Sequence, residues 1–428
     1  MAQRGIREYD GKKMLARHWP EYVNKKYAYP GKVVLINPTT KIEGLPKKYS
    51  WLKKEKLVVK PDQLFGKRGK YGLIKADVSF DQVKKWIKEH MNKEITLGKV
   101  TGKLTHFLIE PYVSHQDEYY VAIKTNRNGD TIYFSNHGGV DIESVWDTVA
   151  EIFVGIEDDI NKINIEKQLP KDTPPKMREM FAEFIKGLYH FYIELRYAYL
   201  EINPFVVSNN TIIPLDLVAR LDDTAHFEVG HKWGDISFPA PFGRQLTKEE
   251  QYIKELDEKS GASLKLTILN PKGRVWTMVA GGGASVIYTD TIVDLGLRDE
   301  LANYGEYSGN PTTEQTYAYA KTILDLITRK KDPKNRSKFL FIGGGIANFT
   351  DVAKTFTGIT MALREYKKKL SENKVKIFVR RGGPNYQEGL RIMEELGIEL
   401  GIPISVYGPE THMTRIVNMA QEEKKGGR

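Results

Sequence analysis

Three glycines in the second half of the chain have the residue types of an anion-binding turn. Gly343–Gly345 follow the apolar residues 339–342, and Asn348 and Thr350 come directly after them. From Val352 onward apolar residues recur at helical spacing, so the order predicts a buried strand, a tight turn and an amphipathic helix. Glycine lets a ligand approach the backbone, and a helix N-terminus favours an anion. The anion could be a nucleotide phosphate, a phosphorylated side chain or a carboxylate.

Two more glycine-rich segments follow predicted strands in the same way. Residues 281–285 come after a strand at 274–280, and residues 380–385 come after a strand at 375–380. Parallel strands end at one edge of a sheet, where ligands bind in such folds. A single glycine triplet is often a plain turn, but three such segments with polar side chains favour a binding site.

One predicted hairpin offers a candidate metal site. If Asn209 and Asn210 form a two-residue turn, Asn203 lies opposite Asp216. Cross-strand neighbours are about 5 Å apart, so one cation could bridge them. Mg²⁺ prefers oxygen ligands and often takes only one or two from the protein. The alternative is an ordinary surface hairpin, and Pro214 indicates an edge strand or a bulge that could shift this register.

A basic turn in the first half could contact phosphates. Lys60 ends a predicted strand, and the segment FGKRGKYG with Arg68 follows it. Both side chains could pair with phosphate oxygens, although a solvated hairpin tip would look the same. The segment is not a P-loop, because GxxxxGK[ST] is absent, and HExxH and GxSxG are absent as well.

The surrounding pattern divides the chain into two halves. The first contains hairpins, including a predicted turn at Asn128-Gly129, and a long helix expected from about Lys176 to Tyr197. The second alternates short apolar strands with helices, which predicts a parallel, doubly wound sheet. Thr312 begins a capping box with Gln315, and Asn385 resembles the start of another. We predict a mixed α/β fold with domains at residues 1–242 and 243–428.

Composition limits the class of protein. The 428 residues are 40% hydrophobic and 28% charged, with no cysteine and a net charge of +10. Zero cysteines exclude disulfides and thiolate chemistry. No apolar run reaches the length of a membrane span, and the N-terminus lacks the apolar region of a signal peptide. We therefore expect a cytoplasmic protein without membrane contact. The basic residues are mixed with acidic ones, so anionic small substrates explain the charge better than nucleic acid does.

Several long motifs resemble one known family in order along essentially the whole chain. They are VVKPDQL, GKRGK, LIEPY, YLEINPFVV, SGASLKL, TMVAGGGAS, LANYGEYSG, IANFT and FVRRGGPNYQEG. They are similar to the amino-terminal half of the ATP-citrate lyase family. That half is an ATP-grasp domain followed by a flavodoxin-like CoA-ligase domain, as in the succinyl-CoA synthetase β-subunit. The resemblance implies that ATP phosphorylates a histidine, that citrate receives the phosphoryl group, and that CoA displaces it to give citryl-CoA.

The resemblance also implies site residues by position. The ATP site comprises Lys60, Arg68, Gly69, Pro111, Val113, Glu118 and Asp216. The citrate site comprises Gly309, Asn348, Thr350, Tyr366 and Arg381. The metal ligands are Asn203 and Asp216 for nucleotide-bound Mg²⁺, and Asp257, Ser260 and Ala262 for a structural cation. The helix N-terminus expected to face the phosphohistidine is formed by Gly281, Gly282 and Gly283. The loop at Gly343 would hold a citrate carboxylate, with Gly345 where animal relatives are expected to have serine.

A partner is expected, because no histidine here lies in a glycine-rich loop of the phosphorylated kind. The phosphohistidine, the CoA-binding domain and the citryl-CoA-cleaving activity would then belong to an α-type subunit, which would also bind most of the CoA. The holoenzyme would be a citryl-CoA synthetase or a two-subunit ATP-citrate lyase, and a Lys- and Glu-rich, cysteine-free composition tilts toward the synthetase. A non-catalytic nucleotide-binding regulatory subunit is opposed by the intact Lys60, Asn203, Asp216 and Arg381.

Overall fold

The computed structural model describes residues 3–23, 27, 29–98, 100–139, 146–259 and 261–426, with the backbone alone at 423–426. Ser260, a predicted cation ligand, lies outside these residues. Contacts between Cα atoms divide the chain into two compact units, Met1–Gln245 and Leu246–Arg428. Among the described residues no helix is long and apolar enough to cross a bilayer.

The first unit is rich in strands. They are β1 (Gln3–Ile6), β2 (Val34–Ile36), β3 (Leu57–Pro61), β4 (Lys75–Val78), β5 (Glu94–Leu97), β6 (Val100–Lys103), β7 (Phe107–Pro111), β8 (Tyr119–Asn126), β9 (Gly129–Ser135), β10 (Ala150–Gly155), β11 (Tyr197–Ser208), β12 (Thr211–Pro214) and β13 (Leu217–Asp222). Its α-helices are α1 (Glu8–Tyr22), α2 (Leu45–Lys48), α3 (Phe80–His90), α4 (Ile165–Gln168), α5 (Pro175–Glu194) and α6 (His226–Trp233).

These strands form antiparallel sheets. The largest has the order β1-β13-β11-β8-β9-β10, with β12 paired to β11, and a four-stranded sheet has the order β2-β7-β3-β4. Helix α5 packs on the large sheet because Phe181, Phe184, Leu188 and Phe191 recur on one helical face and are all buried. The long helix predicted in this region is confirmed, and it ends at Glu194, three residues earlier than expected.

The predicted register of the β11–β12 hairpin is confirmed. Ser208 pairs with Thr211, and Asn209 and Asn210 both have positive φ, as a two-residue turn requires. Pro214 remains in register opposite Phe205. Among the described strands β12 pairs with β11 alone, so this proline lies on an edge strand, where its missing N–H breaks no ladder bond.

The predicted turn at Asn128-Gly129 is shifted by one residue. Asn126 pairs with Gly129, so the two turn residues are Arg127 and Asn128. Gly129 already belongs to β9, where it also pairs with Gly155 of β10. A Cβ at Gly129 would lie 2.2 Å from the Val154 carbonyl oxygen, so close strand packing explains this glycine.

The second unit alternates helices and strands. Its strands are β14 (Ser263–Ile268), β15 (Val275–Ala280), β16 (Asn303–Ser308), β17 (Lys338–Gly344), β18 (Val375–Arg380) and β19 (Ile404–Tyr407). Its α-helices are α7 (Lys248–Glu258), α8 (Gly282–Ile292), α9 (Thr313–Thr328), α10 (Val352–Glu372), α11 (Tyr386–Leu400) and α12 (Arg415–Gly426).

The predicted doubly wound sheet is confirmed. Its order is β14-β16-β15-β17-β18-β19, and every pair is parallel except β14–β16. Along β17, Leu340 and Ile342 face the core shared with α9, α10 and α11, while Phe339 and Phe341 face α8 and α12. Because the strand is buried on both faces, its sequence is continuously apolar.

The two predicted capping boxes differ. Thr312 accepts a hydrogen bond from the Gln315 N–H at 3.3 Å, and the Gln315 side chain accepts one from the Thr312 N–H, so this box is confirmed. The box at Asn385 is wrong. Asn385 makes no side-chain cap, because its backbone is left-handed and not extended as at an N-cap. Its amide N–H donates to Asp351 at 2.8 Å.

Candidate active site

The β11–β12 hairpin brings the two predicted metal ligands together. The backbone N–H of Asn203 donates to the Asp216 carbonyl at 3.1 Å, so the two residues lie directly opposite each other. The Asn203 side-chain oxygen accepts the Gly139 N–H at 2.7 Å, and one Asp216 carboxylate oxygen is paired with Arg68. The Asp216 side chain is 32% exposed and can be reached from solvent.

This pair fits a nucleotide-bound Mg²⁺. An amide oxygen and a carboxylate are the hard oxygen ligands that Mg²⁺ selects, and phosphates and water complete its shell in such sites. The described residues contain no cluster of three or more histidine, cysteine, aspartate or glutamate side chains that would hold a metal without such help. Asn203 and Asp216 would therefore hold a cation only together with a bound nucleotide.

Asp216 is the most exposed member of a largely buried charge cluster, which comprises Glu8, Lys12, Lys60, Arg68, Glu110 and Asp216. The Glu8 carboxylate lies 2.7 Å from Lys12, 2.8 Å from Lys60 and 2.7 Å from Arg68. Glu110 lies 2.6 Å from Lys12 and 2.8 Å from Lys60. The cluster therefore balances its cations with an equal number of carboxylates.

Lys60 is fully engaged in this arrangement. Its ammonium contacts Glu8, Glu110 and the carbonyl oxygen of Leu215, the residue before Asp216. With two carboxylates at ion-pair distance, a phosphate would have to compete with them for the Lys60 ammonium.

The pKa shifts follow from this packing. Burial alone would raise the Glu8 pKa, but Lys12, Lys60 and Arg68 together hold it well below its usual range. Burial, with Glu8 next in importance, raises the pKa of Asp62 to about 6. Asp62 lies behind the cluster and accepts the backbone N–H groups of Glu8 and Tyr9 at 2.9 and 3.1 Å.

The remaining predicted ATP residues lie next to this cluster in the chain. Pro111 ends β7 directly after Glu110, and the Val113 carbonyl lies 2.7 Å from His115 Nδ1. The backbone carbonyl of Glu118 accepts a hydrogen bond from the Gly138 N–H at 2.7 Å. Glu118 therefore lies close to Gly139, whose N–H donates to the Asn203 side chain. Gly69 follows Arg68 in the turn before β4.

Glu8 and Glu110 were missed by the sequence analysis. Glu110 was visible as an acidic residue inside the apolar strand FLIEP, which indicates a buried ion pair. Glu8 and Lys12 are four residues apart on α1, a spacing that usually marks a solvated helix face. Nothing in the sequence alone says that this face is buried.

In the second unit the strand ends define a separate candidate site. Gly281, with φ of 95°, lies between β15 and α8 as the N-cap of the helix, and Gly282 and Gly283 begin the helix. The predicted strand extends through Gly343 and Gly344, so the glycine loop comprises residues 345–350 after β17. It is hydrogen bonded to the turn after β18 through the Ala347 N–H and the Gly382 carbonyl at 2.9 Å. A Cβ on Gly344 would lie 2.4 Å from Arg381 Nη1, so a larger residue there would push the Arg381 side chain aside.

Two arginines are buried at this edge without an acidic partner. Arg380 and Arg381 are 5% and 3% exposed, and no carboxylate of the described residues lies within ion-pair distance of either. Arg381 donates to the Gly345 carbonyl at 3.3 Å, while its Nε has no hydrogen-bond partner. The buried Tyr307 hydroxyl also lacks one, and burial raises its pKa although Arg381 acts to lower it. Buried cations are normally paired, so this edge is built for an anion.

The structure brings most of the predicted citrate residues to this edge. Asn348 and Thr350 lie in the glycine loop, and Gly309 follows β16 with φ of 74°. Tyr366 does not belong with them. It lies on α10 roughly 21 Å from Val352, at a rise of about 1.5 Å per residue, and is packed in the core between α10 and its neighbours.

The predicted cation loop lies beside Gly309. A Cβ on Gly309 would lie 3.2 Å from the Ala262 Cα. Asp257 accepts the Leu264 N–H at 2.8 Å and pairs with Lys265. Its carboxylate is therefore already shared between a backbone donor and a cation, and the described part of the loop does not by itself require a metal.

Glu306 is a further residue that the sequence analysis missed. Its carboxylate lies beside the first turn of α8, about 3.1 Å from where a Gly282 Cβ would stand, and accepts the Tyr304 hydroxyl at 2.9 Å. A carboxylate already interacts with the helix N-terminus predicted to face a phosphohistidine. Only the alternation along β16, which places Glu306 and Tyr304 on one side, could have indicated this.

Comparison with known proteins gives the same two-part division. A family model described as ATP-citrate synthase ATP-grasp domain matches residues 2–233, and one described as ATP citrate lyase citrate-binding matches residues 244–423. ATP-citrate synthase of Bos taurus is 52% identical over 98% of this chain, which spans 38% of that relative's length. ATP-citrate synthase alpha chain protein 1 of Arabidopsis thaliana is 48% identical over 98% of both chains.

A solved structure agrees closely. It is described as ATP citrate lyase from Methanothrix soehngenii in complex with citrate and coenzyme A. It is 55% identical, covers 98% of this chain and 100% of its own, and superposes with a TM-score of 0.89.

Proposed function

The chain belongs to the ATP-citrate lyase family, and from that premise we propose that it is the nucleotide- and citrate-binding subunit of a citrate–CoA ligase. In this reaction ATP phosphorylates a histidine of a partner subunit and ADP leaves. A citrate carboxylate oxygen then attacks the phosphorus, which gives citryl phosphate and frees the histidine. The CoA thiol attacks the acyl carbon and releases phosphate, so the product is citryl-CoA.

The main support is the pair of buried arginines without an acidic partner at the ligand edge of the second unit. Citrate carries about three negative charges near neutral pH and would supply the missing counter-charge. The guanidinium of Arg381 can bind a carboxylate through two parallel hydrogen bonds, and its unpartnered Nε is free for one of them. Gly309, Asn348 and Thr350 would complete this citrate site.

The first unit would bind the nucleotide. Its ATP-grasp domain implies ATP and Mg²⁺, with Asn203 and Asp216 as the residues that would hold the cation. Bound Mg²⁺ would neutralise phosphate charge there. Arg68, which contacts one oxygen of Asp216, would lie beside the phosphates and could pair with them.

A second candidate function is the same ligase followed by cleavage of citryl-CoA to acetyl-CoA and oxaloacetate. The names of the archaeal relatives, which are ATP citrate lyases, favour it. The Arabidopsis relative is named an alpha chain and a Schizosaccharomyces pombe relative a subunit 2, which supports a partner in either case. We place the phosphohistidine and most of the CoA-binding surface on that partner.

The test is a reconstitution with the partner subunit, ATP, citrate and CoA. Accumulating citryl-CoA would support the ligase, whereas acetyl-CoA with oxaloacetate would support the lyase. This chain alone should form no thioester, and turnover at a normal enzymatic rate without the partner would overturn the divided site.

The citrate site is tested by Arg381→Ala and Arg381→Lys. Loss of the guanidinium leaves a desolvated carboxylate unpaired, so we expect citrate affinity to fall by about 2–4 kcal/mol, roughly 30- to 1000-fold. Lysine keeps the charge but not the two-bond geometry, so it should recover only part. A citrate KM within about twofold of wild type in Arg381→Ala, or an equal rise in the ATP KM, would refute the assignment.

A further inference from the structure

Arg380 makes an unusual set of contacts for a buried cation. Its Nε donates to the Thr411 carbonyl at 2.8 Å, one terminal nitrogen donates to the Gly344 carbonyl at 3.0 Å, and the other donates to the Pro409 carbonyl at 3.1 Å. Gly344 ends β17 directly before the glycine loop, while Pro409 and Thr411 belong to the loop between β19 and α12. One guanidinium therefore joins two loops at the ligand edge.

We propose that Arg380 is a positioning residue for the acid site, which holds the glycine loop in the conformation that receives a carboxylate. This inference rests on the proposed function, because it takes the ligand edge of the second unit as the place where citrate binds. Arg380 need not contact the bound carboxylate itself. It acts by fixing the backbone of the glycine loop, which contacts the carboxylate.

The planar peptide transmits this effect. In a trans peptide the carbonyl of one residue and the N–H of the next point in opposite directions. Because Arg380 binds the Gly344 carbonyl, the Gly345 N–H points away from Arg380. Arg381 binds the Gly345 carbonyl in turn, so the two arginines fix two successive peptides of the loop. Without Arg380 the first of these peptides could rotate, and its N–H would lose its fixed direction.

The strand explains why Arg380 and Arg381 have different roles. Side chains alternate along β18, so Arg380 leaves the strand on the side of Phe378, which faces α8 and α12. Of these two arginines, the sequence analysis assigned citrate binding only to Arg381 and offered no role for Arg380. The structure brings the Arg380 side chain back to the same edge through carbonyl groups that no sequence pattern reports.

The charge of Arg380 is also left uncompensated. Its partners are carbonyl oxygens, and the exposed Glu410 has its pKa lowered chiefly by backbone N–H groups and only weakly by Arg380. The carbonyl dipoles satisfy the hydrogen bonds of the guanidinium without cancelling its charge. Arg380 therefore adds a positive potential behind the loop that favours an anion in front of it.

Arg274 provides a matched control at the opposite end of the same sheet. It is 3% exposed and donates to the Ser337 carbonyl at 2.9 Å, but its Nε and a terminal nitrogen also bind Glu300 at 2.9 and 2.7 Å. It is as buried as Arg380 and also bonds to backbone, yet it is neutralised and lies before β15. Its replacement should cost stability without touching the ligand edge.

The experiment measures the KM values for citrate and ATP, and the Tm, of the enzyme assembled with its partner subunit. We expect Arg380→Gln to raise the citrate KM about tenfold with the ATP KM within twofold, and Arg380→Lys to raise it about threefold, since a lysine can still reach one carbonyl. Arg274→Gln should lower the Tm and leave the citrate KM within twofold. Calorimetric titration of citrate into each variant should reproduce the order of affinities.

The outcomes separate this inference from the proposed function. If Arg381→Ala raises the citrate KM but Arg380→Gln and Arg380→Lys leave it within twofold, the role of Arg380 is refuted while the citrate site stands. An equal rise in the ATP KM, or an equal citrate effect in Arg274→Gln, would also refute it, because the effect would then be a general loss of structure. If Arg381→Ala leaves the citrate KM unchanged, the citrate site itself is wrong. Should Arg380→Gln fail to fold, Arg380→Lys decides the question.

Discussion

Asp216→Asn is the most informative single change in the first unit. It keeps the shape of the side chain and one ligand oxygen but removes the charge that would face a nucleotide-bound Mg²⁺. We expect weaker binding of Mg²⁺–nucleotide and unchanged binding of citrate, whose site is assigned to the second unit. Isothermal titration of Mg²⁺–ADP and of citrate into the purified variant measures both.

The size of the effect follows from the surroundings of Asp216. Losing one partner of a fully buried charged contact costs about 2–5 kcal/mol. Asp216 is 32% exposed, so solvent screens part of this. One Asp216 oxygen is paired with Arg68, so the cation would share the carboxylate with this guanidinium and would be held less strongly than by an unshared carboxylate. We expect a net loss of about 1.5–3 kcal/mol, roughly 10- to 150-fold in affinity.

Two controls sharpen this test. Asp222→Asn makes the same change in net charge at a carboxylate that accepts the Thr224 N–H at 3.1 Å, and it should leave nucleotide affinity unchanged. Without Mg²⁺, Asp216→Asn should bind ADP no more weakly than wild type, because the metal contact is then absent from both proteins and the loss of the Asp216 charge removes repulsion of the phosphates. A loss that persists without Mg²⁺, or an equal loss of citrate affinity, would contradict the assignment of Asp216.

Two further predictions concern pH and sterics. Burial, followed by repulsion from Asp62, raises the pKa of Asp10 to about 7, so the folded chain keeps a proton that the unfolded chain releases above about pH 4, and stability should fall as pH rises toward 7. Asp10→Asn should therefore raise the Tm at pH 8 but hardly at pH 4. The gain in the free energy of unfolding at pH 8 should be at most roughly 4 kcal/mol. Equal gains in Tm at both pH values would contradict this. Gly344→Ala should raise the citrate KM with little change for ATP, because its Cβ would lie 2.4 Å from Arg381 Nη1. Gly345→Ala, whose Cβ would meet no atom within 4 Å, should be milder, and equal effects would refute the steric argument.

The parts of the fold that sequence predicted well are those fixed by local rules. The register of the β11–β12 hairpin follows from the Asn209-Asn210 turn, since a two-residue turn leaves one pairing. Strand β18 was predicted with its observed ends, because the apolar residues Ile377, Phe378 and Val379 lie just before the glycine-rich turn that follows it.

The parts that sequence could not supply depend on contacts distant in the chain. Glu8 and Glu110 are about a hundred residues apart, yet both bind Lys12 and Lys60. Arg380 binds carbonyl oxygens, which every residue has, so no side-chain pattern marks them. Asn385 failed as a cap because its backbone is left-handed, a conformation that the spacing to Glu388 does not reveal.

The two candidate sites differ in how their charges are compensated, and this has a consequence for binding kinetics. The cluster around Lys60 pairs its cations with carboxylates at contact distance, so little of its field extends into solvent. Arg380 and Arg381 have no such partners in the described part of the chain, and their field extends outward until salt screens it, over about 10 Å at 0.1 M ionic strength. Anions should therefore be drawn to the second site from a distance. The association rate of citrate should fall steeply as salt is added, while that of Mg²⁺–nucleotide should change much less.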